Sequence, residues 1–315
     1  MTKLEDLELC FVTGKGGTGK TTVAAALARY LAGLGKRVLL CEVDAKGEVA
    51  LVFEASEVGF TPKEVAPSIW AMTMDTESSL KEYLKIYLKV PVTGPLSPLA
   101  KAFDFVATAA PGVKEILTVG KVCFEVRQRT YDVVVVDAPA TGHIIGQLAA
   151  PQAINELVKV GLIRSQTEWM LEILSDRSRT GVVVVTTPEE MPVAETIELA
   201  GRLSDETTVA LQAVVVNRVL PGRFTRREEE AFSALTSDAA AVRLRSALGR
   251  EVREVLEGAA LAVELRHNRS AHLADLRERL DPSLPIVLLP YLFTGMMGIA
   301  GTTELADALA AELTR

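Results

Sequence analysis

The chain has 315 residues, 49% of them hydrophobic, and a formal net charge of −7 from 34 basic and 41 acidic side chains. That length supports a large core in one α/β domain with insertions, or in two domains, and the acidic balance disfavours non-specific nucleic-acid binding. No apolar run reaches the ~18–20 residues of a membrane span, and MTKLEDLELC carries acids where a secretion signal has basic residues, so a cytoplasmic protein without stable membrane insertion is expected.

The first apolar run, Leu7–Thr13, leads into Gly14-Lys15-Gly16-Gly17-Thr18-Gly19-Lys20-Thr21-Thr22. This matches GxxxxGK[ST], with a strand before and a helix after. Glycines let backbone N–H groups turn inward around phosphates, and the helix N-terminus adds positive partial charge. Lys20 is expected on the β/γ oxygens, Thr21 on Mg²⁺, and Thr22 close enough to donate to phosphate. The helix buries Val23, Leu27, Tyr30, Leu31 and Leu34 on one face and closes at Gly35.

Further strands are expected at Arg37–Val43, Trp70–Met74, Tyr131–Asp137, Gly181–Thr187, Val209–Asn217 and Ile286–Leu289. Most are continuously apolar, as in strands covered on both faces. Strand–helix alternation of this kind reads as an α/β fold with a doubly wound, mostly parallel sheet. An acid ending a buried strand, here Asp137, can hold a Mg²⁺ shell through water.

Two long stretches read as helices inserted between strands. Residues 77–129 carry Leu80, Tyr83, Leu84, Tyr87 and Leu88 on one stripe and Val113, Ile116, Leu117 and Phe124 on another, punctuated by Pro91, Pro95, Pro98 and Pro111. Residues 151–179 carry Ile154, Leu157, Val158, Trp169, Met170, Ile173 and Leu174 at helical spacing, and Arg226–Leu280 is a charged, alanine-rich helical block. The organisation expected is one phosphate-loop (P-loop NTPase) domain over residues 1–315, with a helical subdomain made by the insertions 77–129 and 151–179. The apolar stripes are either the core of that subdomain or part of a client groove.

The form GKGGTGKTT resembles the deviant phosphate loop of the ATPase class that includes the arsenite-pump ATPase, the tail-anchored-protein targeting ATPase, the Min and Par partitioning ATPases and the nitrogenase iron protein. In that class the extra lysine, here Lys15, crosses a dimer interface to the partner's nucleotide, as an arginine finger does. The run Asp137-Ala138-Pro139-Ala140-Thr141-Gly142-His143 is similar to the DTAPTGH switch of the arsenite-pump and tail-anchored-targeting branch. The resemblance implies that Asp137, Thr141, Gly142 and His143 form a nucleotide-sensing switch; read alone, His143 could equally be a capping or packing histidine.

The first switch of that branch, TDPAHSLSDAF, corresponds here to VDAKGEVALVF, residues 43–53. Asp44 keeps the position of the water-activating carboxylate, while proline, histidine and serine are replaced; Glu42 and Glu48 are nearby substitutes. The resemblance also implies adenine recognition by Asn217, whose amide can pair with the N6/N7 edge, and a base-covering loop at Pro290 and Tyr291.

Cys10, Cys41 and Cys123 form no CxxC pair, which excludes a zinc staple of that type and points to buried, reduced thiols. Cys10 and Cys41 are expected in neighbouring strands and Cys123 on a distant helix, which disfavours a three-thiol arsenite site. One methionine, Met170, lies between Ile144 and Thr180, fewer than a groove for varied apolar helices favours. The acidic, amphipathic C-terminal stretch TTELADALAAELTR lacks the lysines of a membrane-anchoring helix.

The expected activity is Mg²⁺-dependent ATP hydrolysis by a homodimer, or by a heterodimer with a related ATPase subunit. Hydrolysis would drive switch and helical movement, with room for a membrane-protein client. The alternatives are a nucleotide-gated scaffold or regulatory subunit with weak hydrolysis, and a partitioning-type positioning ATPase.

Overall fold

The computed structural model describes residues 3–43, 47–87, 112–220, 227, 243, 246, 251–294 and 297–314. Asp44, Leu88, the four prolines at 91, 95, 98 and 111, and most of 226–250 lie outside the described residues.

The chain order is β1 (Leu9–Gly14), α1 (Lys20–Gly33), β2 (Val38–Glu42), α2 (Glu48–Val52), β3 (Lys63–Ala66), β4 (Ile69–Thr73) and α3 (Thr76–Tyr87). It continues with α4 (Val113–Gln128), β5 (Val133–Asp137), α5 (Thr141–Leu157), α6 (Leu162–Ser175), β6 (Thr180–Thr186), α7 (Glu190–Glu206), β7 (Ala210–Val219), α8 (Glu251–Arg279), β8 (Ile286–Pro290) and α9 (Ile299–Leu313). The strands form one sheet in the order β3-β4-β2-β5-β1-β6-β7-β8, parallel except where β3 pairs antiparallel with β4.

The continuous apolar runs are strands buried on both faces. Alternate residues feed two separate cores. Cys10 and Val12 of β1, with Val38 and Leu40 of β2, meet Val23, Leu27 and Leu31 of α1 and Leu305 and Leu309 of α9 on one face. Leu9, Phe11, Leu39 and Cys41 meet α4, α5, α6 and α7 on the other. The α9 contacts bury the apolar side of the acidic C-terminal helix against α1. Area bookkeeping puts each fully buried leucine at ~1.5–3 kcal/mol, so both layers are firmly held.

Three expectations are corrected. Cys10 and Cys41 do not sit on neighbouring strands: β5 lies between β1 and β2, and the two thiols face opposite cores. Leu34 is 52% exposed, because α1 ends one residue earlier. Gly35 takes φ +85°, and Lys36 N–H closes the helix on Leu31 O at 3.3 Å. The edge strand β3 was not expected.

The stripes on α3 and α4 do meet. With α5 and α6 they enclose an apolar cavity of about 270 Å³, lined by Leu80, Tyr83, Ile116, Leu117, Phe124 and Ile154 among others. At its edge Lys121 is buried between Glu82 and Glu125, 2.7 Å from each. Helix α5 starts at Thr141 and runs straight through Pro151, which is buried within it.

Candidate active site

β1 lies where the chain reverses direction across the sheet, between β5 and β6, and open α/β sheets bind ligands beyond the strand ends at such a point. Gly14 turns the chain there with φ +149°, and a Cβ would sit 2.0 Å from Val185 O of β6, so no other residue fits. Gly17 and Gly19 also have positive φ. Thr18 Oγ1 donates to Lys15 O at 2.9 Å, closing the loop on itself. From β7, buried Asn217 donates Nδ2–H to Thr18 O at 2.9 Å, and its Oδ1 accepts Arg218 N–H at 2.9 Å. Asn217 thus stitches the phosphate loop to the strand two places away.

The loop opens onto a cleft of about 540 Å³. Gly16, Gly17, Gly19, Lys20, Thr21 and Thr22 line one side; Glu42, Glu48, Asp137, His143 and Arg218 line the rest. The Lys20 ammonium reaches Lys15 O at 3.5 Å.

At the foot of α1, Thr21 Oγ1 lies 2.6 Å from Asp137 Oδ2 and 2.9 Å from Glu48 Oε2. A hydroxyl has one hydrogen, so it cannot fully satisfy two carboxylates. Burial pushes the Asp137 carboxyl up to about 6, with Glu42 and Glu48 adding to the rise and Thr21 and Lys20 opposing it. The group is short of positive charge. Among the described residues no three acid, His or Cys side chains form a metal cage by themselves. Mg²⁺ does not need one, since it takes one or two protein oxygens and completes its shell with phosphates and water. The donor set therefore fits Mg²⁺ through Thr21 and, via water, Asp137.

The segment expected to act as the second switch, residues 137–143, is tied to the same strand. Ala138 N–H donates to Val12 O at 2.9 Å, and Thr13 Oγ1 donates to Pro139 O at 2.6 Å. Thr141 then opens α5, and its hydroxyl donates to Glu195 Oε2 of α7 at 2.9 Å. The other oxygen of Glu195 is paired with the Lys15 ammonium. Lys15, followed by Thr141, holds the Glu195 carboxyl below its ordinary range. Lys15 is therefore absent from the lining of the cleft and joined through Glu195 to Thr141 at the start of α5.

A profile of the anion-transporting ATPase family matches residues 7–171 and 162–237. The chain belongs to this family. ATPase BagA of Mycobacterium tuberculosis is 30% identical over 323 aligned positions, covering 98% of this chain and 94% of that protein. An arsenical pump-driving ATPase of Escherichia coli is 28% identical over 73% of this chain and 44% of its own length. A putative arsenical pump-driving ATPase of Aquifex aeolicus is 27% identical, over 68% and 81% respectively. ATP hydrolysis is the activity that membership carries.

Other expected site residues are placed less centrally. Pro290 and Tyr291 end β8, where Tyr291 N–H donates to Val219 O at 2.8 Å and its ring meets Phe293 at 4.8 Å; neither lines the cleft. At Gly142 a Cβ would meet nothing within 4 Å, so this conformation does not require glycine. Of the substitutes for Asp44, Glu42 caps α2 by accepting Glu48 N–H at 2.8 Å, whereas Glu48 reaches Thr21. Glu195 and Arg218 escaped sequence reasoning; each is a single charged residue far along the chain from the loop it serves. All three cysteines are free and buried, and burial raises their thiols, to about 12 for Cys10 and Cys123. No described helix is long and apolar enough to cross a membrane.

Proposed function

We propose that this chain hydrolyses ATP with Mg²⁺ at an interface between two subunits. The observation that carries the proposal is the placement of two lysines from one loop. Lys20 lines the cleft and faces where phosphates would lie; Lys15 lies outside it, paired with Glu195. A cation that leaves its own site empty-handed is suited to another chain's nucleotide.

ATP would bind with its phosphates on the N–H groups of Gly14–Thr22 and on Lys20. Mg²⁺ held by Thr21 and Asp137 would neutralise phosphate charge. Asp44 is proposed to orient the attacking water, and Lys15 to exchange Glu195 for the partner's phosphates. Loss of the γ-phosphate would relax Asp44 and the switch at Asp137, Thr141, Gly142 and His143, moving the helices of 77–129 and 151–179 as a subdomain. For Asn217, Pro290 and Tyr291 to face the base, the Asn217 amide would have to leave Thr18 O and the end of β8 to close over the cleft when nucleotide binds. The partner is a second copy or a related ATPase subunit.

A client is supported only in part. The helical layer offers an apolar cavity of about 270 Å³ lined by α3, α4, α5 and α6, where an apolar side chain of a client would fit. A nucleotide-gated scaffold is the second reading, favoured by the altered sequence after Asp44.

Lys15→Ala should bind ATP yet lose hydrolysis, whereas Lys20→Ala should neither bind nor hydrolyse it. Mixing the two should recover part of the turnover, because one composite site then has both lysines. Full turnover by monomeric Lys15→Ala would overturn the shared site. Absence of Mg²⁺-dependent turnover in the wild type would favour the scaffold.

A further inference from the structure

Arg218 stands out at the end of β7. Its backbone is left-handed, φ +57°, a conformation unfavourable for a residue with a Cβ and retained chiefly where the surroundings enforce it, often at functional sites. The pairing of β7 with β8 slips between Val216 and Val219, so Asn217 and Arg218 form an irregularity of the bulge type, a device that re-aims side chains beside active sites. Both ends of the Arg218 peptide are held. Its N–H donates to Asn217 Oδ1 at 2.9 Å, and its carbonyl accepts from Arg269 of α8 at 3.5 Å; Arg269 is in turn 3.6 Å from Glu189.

The consequence is a division of labour between neighbours. Asn217 turns into the phosphate loop, and Arg218 lines the cleft with an exposed guanidinium. That guanidinium has no ion pair or hydrogen bond among the described residues. A surface arginine with no ligand would need neither the slip in register nor the positive φ.

We propose that Arg218 is a nucleotide-binding residue whose guanidinium plane stacks on the base of bound ATP. This rests on the cleft being the ATP site. The phosphates belong around Lys20 at the end of β1, and Arg218 comes from the second strand over. β7 lies two strand spacings, about 10 Å, from β1; Asn217 holds the near edge of the loop at Thr18 O, and Arg218, one residue on, stands on the β7 side of the cleft, opposite Thr21 and Asp137, where a nucleoside would extend from the phosphates. A guanidinium is planar and lies flat on an aromatic face, whereas an ammonium meets that face only as a compact point charge.

The test uses full-length wild type, Lys20→Ala, Arg218→Gly and Arg218→Lys, with calorimetric titration of MgATP and MgADP and melting curves without nucleotide. Glycine adopts the left-handed backbone freely, so Arg218→Gly should melt at the wild-type temperature or higher. The same variant should bind both nucleotides about 3- to 30-fold more weakly, the range expected for a cation over an aromatic face. Arg218→Lys should fail to restore affinity. Wild-type affinity in Arg218→Gly, with Lys20→Ala defective, would overturn this inference alone. Full rescue by lysine would overturn the stacking and assign a phosphate contact. A wild type that binds no ATP would overturn the reading of the cleft and this inference with it.

Discussion

Replacing Asp137 with asparagine should make the metal-free protein more stable at alkaline pH while abolishing its turnover. Burial, then the charges of Glu42 and Glu48, raises this carboxyl from its ordinary 3.8 to about 6. Two units at about 1.4 kcal/mol each amount to ~3 kcal/mol of differential free energy between its charged and neutral forms. The folded protein holds the proton more tightly than the unfolded chain does. The contribution to stability is therefore complete below about pH 4 and is lost as pH rises through about 6. At pH 8 the ionised group burdens the folded state by up to ~3 kcal/mol, a burden that Mg²⁺ and nucleotide would lift. Asparagine keeps the shape and an acceptor for the Thr21 hydroxyl, and it never ionises. Urea unfolding in chelator should thus give Asp137→Asn an advantage of ~1–3 kcal/mol at pH 8, shrinking towards zero near pH 4.5. An advantage independent of pH, or a variant less stable at pH 8, would refute the charge argument. Added Mg²⁺ and ATP should stabilise the wild type far more than the variant.

Glu195→Gln should free Lys15 from a half-buried, solvent-screened ion pair of ~0.2–1 kcal/mol, raising turnover at limiting protein concentration by about 1.5- to 5-fold; a fall in kcat would mean that Glu195 positions Lys15 rather than restraining it. Gly19→Ala places a Cβ at φ +92° and 2.5 Å from Asn217 Nδ2, so chemical denaturation should show a loss of ~1–3 kcal/mol and titration a loss of ATP binding. Gly142→Ala, with open space at the Cβ, should stay within about 0.5 kcal/mol of wild type. The three buried thiols should resist alkylation at pH 8 until the protein is unfolded, and arsenite should leave ATP turnover unchanged; rapid native labelling or activation by arsenite would show a thiol site that the fold does not display.

The central strands and the phosphate loop were legible because their chemistry is local. Runs such as Val133–Val136 are apolar throughout only when both faces are covered, and Gly14–Thr22 announces itself by spacing. β3 gave no such signal: it is a four-residue edge strand whose Lys63 and Glu64 are exposed, so water and burial impose no pattern on it. Strand order was also hidden. Nothing near Cys10 or Cys41 reveals that β5, almost a hundred residues later, separates them. The same distance in sequence concealed Glu195, whose role depends on α7 docking beside the loop. Arg218 is hidden for another reason: neither its side chain nor its neighbours mark the left-handed turn, which arises from the pairing of β7 with β8.

The sheet that separates two independent cores also separates two sets of packing constraints. Residues of α1 and α9 cannot drift without disturbing the helix that carries Lys20 and Thr21, since both pack into the same layer. The layer of α4, α5 and α6 draws on the alternate side chains of the strands. Away from the start of α5, its packing can be rewritten while the ATP-facing layer stays intact.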